Sequence, residues 1–219
     1  MTRPSITKKS RDPLAAPNRR KPKQKRSVTT VKQILEAAIK LLEIGGFEAI
    51  TMQAIADEAG VNIATAYSYF PNKHQLLARL AEDQINARLD VLARMLADVA
   101  AAPDWVSAFG ATLHDLFDMR RRQRGSVALR RALHASPDLW AIDQDGNRKA
   151  AILVGDVLRQ RSSPGLHSST DIRGRIIAEC VTASLDLAQS CPEDKAAHYI
   201  EELVVLMQRY LQEPPSNMA

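Results

Sequence analysis

The sequence predicts an all-α protein in two parts: an N-terminal three-helix domain built on a helix-turn-helix, and a larger C-terminal helical domain. Three observations carry this. Apolar residues make up 45% of the 219-residue chain, while aromatics are only 5% and glycines nine, which suits packed helices. After residue 27 apolar residues recur at three- and four-residue intervals, and no strand-like alternation competes with them. Finally, Thr51 to Phe70, TMQAIADEAGVNIATAYSYF, divides into two short helical runs across a glycine.

Residues 1–27 read as a disordered basic arm. Ten Lys and Arg (Arg3, Lys8, Lys9, Arg11, Arg19, Arg20, Lys21, Lys23, Lys25 and Arg26) face Asp12 alone, and four prolines interrupt any helical period. The rest of the chain has 20 basic and 24 acidic residues, so the overall charge of +5 belongs to this arm. It is either a solvated tail or an arm that enters a DNA minor groove. The first helix follows. Thr30 and Gln33 fit a capping box, and Val31, Ile34, Leu35, Ala38, Leu41 and Leu42 form its apolar face up to Gly45-Gly46.

Thr51 then caps a short helix carrying Met52, Ile55, Ala56 and Ala59, and Gly60 ends it by turning the chain at low steric cost. Asn62 caps the second, Ile63 to Phe70. Such a hairpin is also a common core element, so the polar residues of the second helix matter. Asn62, Thr65, Tyr67, Ser68 and Tyr69 suit phosphates and base edges, and the methyls of Ala64 and Ala66 suit a thymine methyl. Asn72 and Gln75 begin a long helix from Lys73 to about Ala100, a rod of roughly 40 Å.

GVNIATAYSYFPNKHQLL, residues 60 to 77, resembles the hallmark of TetR-type transcriptional regulators: Gly-Val-Ser, two variable residues, Thr-x-Tyr-x-Tyr/His-Phe, then a Lys and a Leu. The likeness extends over about 28–88, through ITMQAIADEAG and the GGF at the end of helix one. It implies that Thr51 meets a phosphate, that Asn62, Ile63, Ala64 and Thr65 face bases, and that Tyr67, Tyr69 and Lys73 hold the DNA backbone. Asn62 departs from the usual Ser or Thr, which a cap tolerates. Val31 stands where an Arg is frequent, which removes a phosphate contact from helix one.

The second domain, 89–213, is expected to hold further helices before a short tail, 214–219. They run from Asp104 to about Gln123, from Ser126 to Ala135, and from Pro137 to Arg161 with a possible interruption at Gly146. Two more run from Ile172 to Gln189 and from Pro192 to Pro214. The resemblance implies a ligand cavity, with Trp105, Phe109, His114, Phe117, His134 and Trp140 as candidate walls and Met119 beside them; by spacing alone such rings are more often core, and His114 and His134 more often surface or satisfied core residues. It also implies a dimer through the last two helices, with Ile176, Cys180, Ala183, Leu187, Ile200, Val204, Met207 and Leu211 as candidates. The arginines 120, 121, 122, 124, 130 and 131 read first as a solvated basic helix end, and second as an anion site.

The leading functional expectation is a cytoplasmic repressor. A homodimer would hold a near-palindromic operator in double-stranded DNA and release it when an unidentified small-molecule effector binds. Dimerisation has its own argument, since one recognition helix reads only a few base pairs. The alternative is a DNA-binding protein without a small effector, architectural or governed by a protein partner. An enzyme ranks last: there is no Gly-rich phosphate loop, no G-x-S-x-G and no H-E-x-x-H. No cofactor is expected. No metal is expected either, because the five histidines show no ligand spacing with Cys180 or Cys191. No apolar run approaches a bilayer span, so no membrane association is expected.

Overall fold

The structure is a computed structural model that describes residues 20–161 and 169–212. Among these residues, nine α-helices and one 3₁₀ turn follow in order: α1 (Arg20–Gly45), the turn (Gly46–Ala49), α2 (Met52–Ala59), α3 (Ile63–Tyr69), α4 (Lys73–Ala101), α5 (Trp105–Arg122), α6 (Ser126–Leu133), α7 (Pro137–Arg161), α8 (Thr170–Gln189) and α9 (Glu193–Gln212).

α1 starts ten residues before the Thr30 cap expected for it. Residues 20–27, read as part of a disordered arm, are therefore helical. Pro22 falls in the first turn, where its missing N–H has no helical partner to lose, and no glycine follows before Gly45. Residues 1–19 of the arm lie outside the described residues. α7 also departs from expectation: it runs unbroken through Gly146. That glycine lets α4 approach, since a Cβ there would lie 2.8 Å from Cγ2 of Ile85. The polar loop expected over 161–169 lies mostly outside the described residues.

Two apolar clusters organise the molecule. The first joins Ile34 and Leu42 of α1, Ile55 of α2, Ala66 of α3 and Leu76 and Leu77 of α4, all nearly inaccessible to solvent. It does not stop at the end of the N-terminal domain. Leu129, Ala132 and Leu133 of α6 and Leu139 of α7 belong to the same cluster. The second joins Leu96 of α4, Leu113 of α5, Leu158 of α7, Ile177 and Leu185 of α8 and Ile200 of α9. α4 passes through both.

α7 and α8 pack closely because two glycines meet at their crossing. A Cβ on Gly174 would lie 2.6 Å from the carbonyl oxygen of Ala151 and 3.0 Å from the amide nitrogen of Gly155. No described helix is long and apolar enough to cross a membrane.

Candidate nucleic-acid interface and internal cavity

The local chemistry of the helix-turn-helix is resolved atom by atom. Thr51 Oγ1 accepts a hydrogen bond from the Ala54 amide at 3.1 Å, and Asn62 Oδ1 accepts one from the Ala64 amide at 2.8 Å. Each satisfies a donor that the first turn of a helix leaves unpaired. Gly60, between them, adopts φ 65° and ψ 32°, the left-handed conformation in which a side chain is strained. Its amide bonds back to the end of α2 and that of Val61 to Ala56, so the turn is closed by backbone alone.

The residues read as DNA contacts then separate by burial. Asn62, Ala64, Tyr67 and Ser68 stand on the exposed side of α3, with Tyr67 50% accessible. Thr51 is exposed at the start of α2. Ile63 and Thr65 are half-buried, Ile63 against the first apolar cluster. Ala66 is fully buried and has no methyl to offer a base; here the sequence reading is corrected. Facing inward on a seven-residue helix, Ala66 is the point at which α3 is pinned to its domain.

Tyr69 and Lys73 are half-buried and already engaged. The Tyr69 hydroxyl donates to Ser27 Oγ at 3.2 Å, tying α3 to the first part of α1. Lys73 Nζ sits 4.0 Å from the centre of the Phe47 ring, a cation–π contact that holds the start of α4 against the 3₁₀ turn.

The second site is a cavity of about 80 Å³ in the C-terminal domain, enclosed by α4, α5, α7 and α8. Its walls are mostly apolar, with Leu89, Leu92, Phe109, Leu116, Met119 and Val181 among them. Of the six residues expected there, Phe109 lines it, as does Met119. Trp105 and Phe117 instead pack into the second apolar cluster, and His114 is exposed. His134 and Trp140 stack edge to face, 4.2 Å between ring centres, beside a separate open recess with Ser136 and Pro137. Of the aromatic candidates only Phe109 lines the cavity, and the leucines of α4 supply much of the wall.

The cavity floor is charged. Arg88 and Arg120 line it, and no acidic residue among the described residues does. Arg120 is nearly inaccessible and donates from Nη1 to Asp186 Oδ1 at 2.9 Å. Behind it, Arg130 of α6 lies 3.2 Å from Asp143 and 2.7 Å from Asp186. Its Nε and Nη1 are nevertheless buried without a hydrogen bond, as is Asp143 Oδ2. Burial first, and then repulsion from Arg88, lowers Arg120 to about 9 against the pull of Asp186. Arg88 is lowered too, by burial and then by Arg130. The arginine cluster read as a solvated helix end thus splits. Arginines 121, 122, 124 and 131 are exposed, whereas Arg120 and Arg130 face inward.

Beyond the shared apolar cluster, polar contacts also join this region to the N-terminal domain. Arg124, in the loop between α5 and α6, pairs with Glu43 of α1 at 2.7 Å, and Gly125 lies so near α1 that a Cβ on it would be 2.8 Å from Cγ2 of Ile39. Gln84 of α4 donates to the Arg124 carbonyl at 3.4 Å.

The family models agree with this architecture. The model described as bacterial regulatory proteins of the tetR family matches residues 34–80, and one described as the tetracyclin repressor-like C-terminal domain matches 104–211. The chain belongs to the TetR family. Curated relatives match about a quarter of the chain. One is the HTH-type transcriptional repressor KstR of Mycobacterium tuberculosis, 42% identical over 62 residues, which are 27% of this chain and 28% of KstR. Another is KstR of Rhodococcus jostii, 45% identical over 53 residues, 24% of this chain and 25% of that protein. The match therefore spans about a quarter of these relatives' length. A TetR-family regulator structure from Mesorhizobium loti superposes with a TM-score of 0.68 at 15% identity, covering 84% of this chain and 98% of that one. FadR of Bacillus subtilis, solved with stearoyl-CoA, gives 0.60 at 17% identity, covering 82% and 96%. At these identities the structures establish a common fold.

The residues expected at a dimer interface also separate. On α8, Ile176 and Leu187 are 45% and 48% accessible, Ala183 is exposed beside them and Cys180 is half-buried. Ile172, 65% accessible, extends this stripe. On α9, Ile200, Met207 and Leu211 are buried in the chain's own second cluster, with Val204 packed against it. That correction follows from α9 lying between α5 and α8, so its strongest apolar face is used internally. Its outward apolar residues are Tyr199, Val205 and Leu206.

Proposed function

We propose that this protein is a homodimeric transcriptional repressor that holds a near-palindromic operator and lets go when a small molecule fills the cavity. The observation that supports it most is the division of α3. Ala66 and Ile63 anchor the helix, and Asn62, Ala64, Tyr67 and Ser68 are left on a polar outer face small enough to enter a major groove. By this reading Tyr67 and Thr51 contact phosphates, and the 62–64 edge with Thr65 reads bases. Tyr69 and Lys73 reach the backbone from positions held by Ser27 and Phe47.

The dimer forms through Ile172, Ile176, Ala183 and Leu187 of α8, with Tyr199 and Leu206 of α9. Paired heads then sit on half-sites about 34 Å apart or a multiple of it. The cavity connects to the heads through α4 and the loop between α5 and α6. An occupant that parts these elements shifts the Arg124–Glu43 contact and Gly125 against Ile39, and so the spacing of the two heads. SmeT with triclosan and FadR with stearoyl-CoA are examples of this fold holding small ligands.

The test is selection of bound sequences from random duplex DNA at near-physiological salt. The expected result is one enriched near-palindrome. Tyr67→Ala should weaken its binding by about tenfold or more through a lost phosphate contact, with the sequence preference kept. Binding with no enriched sequence, falling steeply with salt, would refute the specific-repressor reading.

A further inference from the structure

The charges under the cavity do not balance. Arg88, Arg120 and Arg130 are drawn together there with only Asp143 and Asp186 to answer them. Asp186 already serves two arginines, Oδ1 to Arg120 and Oδ2 beside Arg130. Asp143, 2% accessible, faces Arg130. Arg88 is left over: among the described residues it makes no hydrogen bond and no ion pair, and it borders both the main cavity and the smaller one behind it. Arg88 is half-buried, and a charge drawn out of water without a partner in contact is costly. Above this floor the walls are leucine, phenylalanine, methionine and valine.

We infer that the cavity takes a monocarboxylic acid with an apolar body, its carboxylate held by Arg88 and Arg120 and its hydrocarbon laid against α4, α5 and α8. This rests on reading the cavity as the effector site. A guanidinium offers two parallel N–H donors that match a carboxylate, and a single negative charge is what the cluster lacks. A dianionic head would overshoot to a buried excess of negative charge, and an ammonium would add a fourth cation. The lowered proton affinities of Arg88 and Arg120 agree with a site that is overloaded with positive charge until an anion arrives. Thr112, Asn147 and Thr182 are the other polar side chains of the wall, but they hydrogen-bond within the protein: Thr112 to the Ala108 carbonyl, Asn147 to Glu179, and Thr182 to Asn147.

The experiment titrates the full-length protein with hexanoate, decanoate and 4-phenylbutanoate, using decan-1-ol, decylammonium and acetate for comparison, and follows heat of binding and thermal midpoint. Arg88→Gln breaks no ion pair and is expected to fold; Arg88→Lys keeps the charge but not the planar fork. The expected result is binding of at least one longer carboxylate at least tenfold tighter than decanol, decylammonium or acetate. That preference should be lost in Arg88→Gln and partly kept in Arg88→Lys. Equal binding of alcohol and acid, preference for the amine, an unchanged preference in Arg88→Gln, or no binding by any carboxylate would overturn the inference. Operator release, read in parallel, separates the two claims. Arg88-dependent carboxylate binding that leaves DNA bound supports this site and refutes the effector reading. Release by a neutral or cationic compound, with no carboxylate bound, does the reverse.

Discussion

Gly174→Ala is the substitution whose outcome depends most directly on the geometry. In a helix interior, replacing Gly by Ala ordinarily stabilises by up to about 1 kcal/mol, because alanine has less backbone entropy to lose. At position 174 the new methyl would meet Ala151 O at 2.6 Å and the Gly155 N and Cα at 3.0 and 3.1 Å. An unstrained contact sits near 3.5 Å, so the methyl is short by almost an ångström. All three atoms are backbone in the middle of α7, and no rotamer change removes them. The helices must part, at an overpacking cost of about 1–3 kcal/mol. With three backbone contacts to relieve, the clash outweighs the gain, and the net loss is up to about 2 kcal/mol. For a chain of this length that lowers the melting temperature by up to roughly 8 °C. Gly146→Ala is the control. It has the same propensity gain, but its closest contact is the movable Cγ2 of Ile85 at 2.8 Å. Thermal unfolding followed by circular dichroism, at one fixed protein concentration because dimers melt by mass action, reads both. If Gly174→Ala melts at or above wild type, or no lower than Gly146→Ala, the close crossing of α7 and α8 is wrong.

Two further outcomes are expected. Asp186→Asn leaves three arginines facing Asp143 alone, and should cost about 3 kcal/mol in chemical denaturation, as for one partner removed from a buried ion pair; a change within 0.5 kcal/mol or so would show the cluster to be solvated. Ile176→Glu combined with Leu187→Glu alters two exposed residues on α8, so the fold should survive while the sedimenting mass falls to that of a monomer and operator binding weakens with it; a persistent dimer would place the interface elsewhere.

The sequence was most informative where structure is set locally. Thr51, Gly60, Asn62 and Asn72 act within a turn of their own positions, and each cap found in the structure is the one their chemistry implied. It was least informative where distant residues decide. The helical period puts Arg120 on the buried stripe of Phe109, Leu113 and Phe117, away from Arg121 and Arg122, but its partner there, Asp186, is 66 positions away and not legible from the helix itself. Gly146 read as a break because its partner, Ile85, lies on another helix. On α9 the apolar period correctly marks a buried face, but periodicity cannot tell burial in one's own core from burial against a second chain. Among the large rings, Phe109 lines the cavity while Trp105 and Phe117 pack into the second cluster, and their own spacing could not separate the two roles. Large rings advertise themselves in a sequence, whereas a cavity needs walls that leave room, and here leucines leave it.

The sharing of the first apolar cluster between the head and α6 has a consequence for recombination. Leu129, Ala132, Leu133 and Leu139 complete the interior of a head that is contiguous in sequence only up to the middle of α4. A chimera joined near residue 88 would pair the head of one relative with the α6 of another, and these four side chains would meet a surface shaped for different ones. The module that can be exchanged intact is therefore discontinuous: residues 20 to about 88 together with 126 to about 142. Natural or engineered swaps of DNA specificity that respect this seam should keep a well-packed head. Those that cut only at the linker must repair it by substitutions in α6.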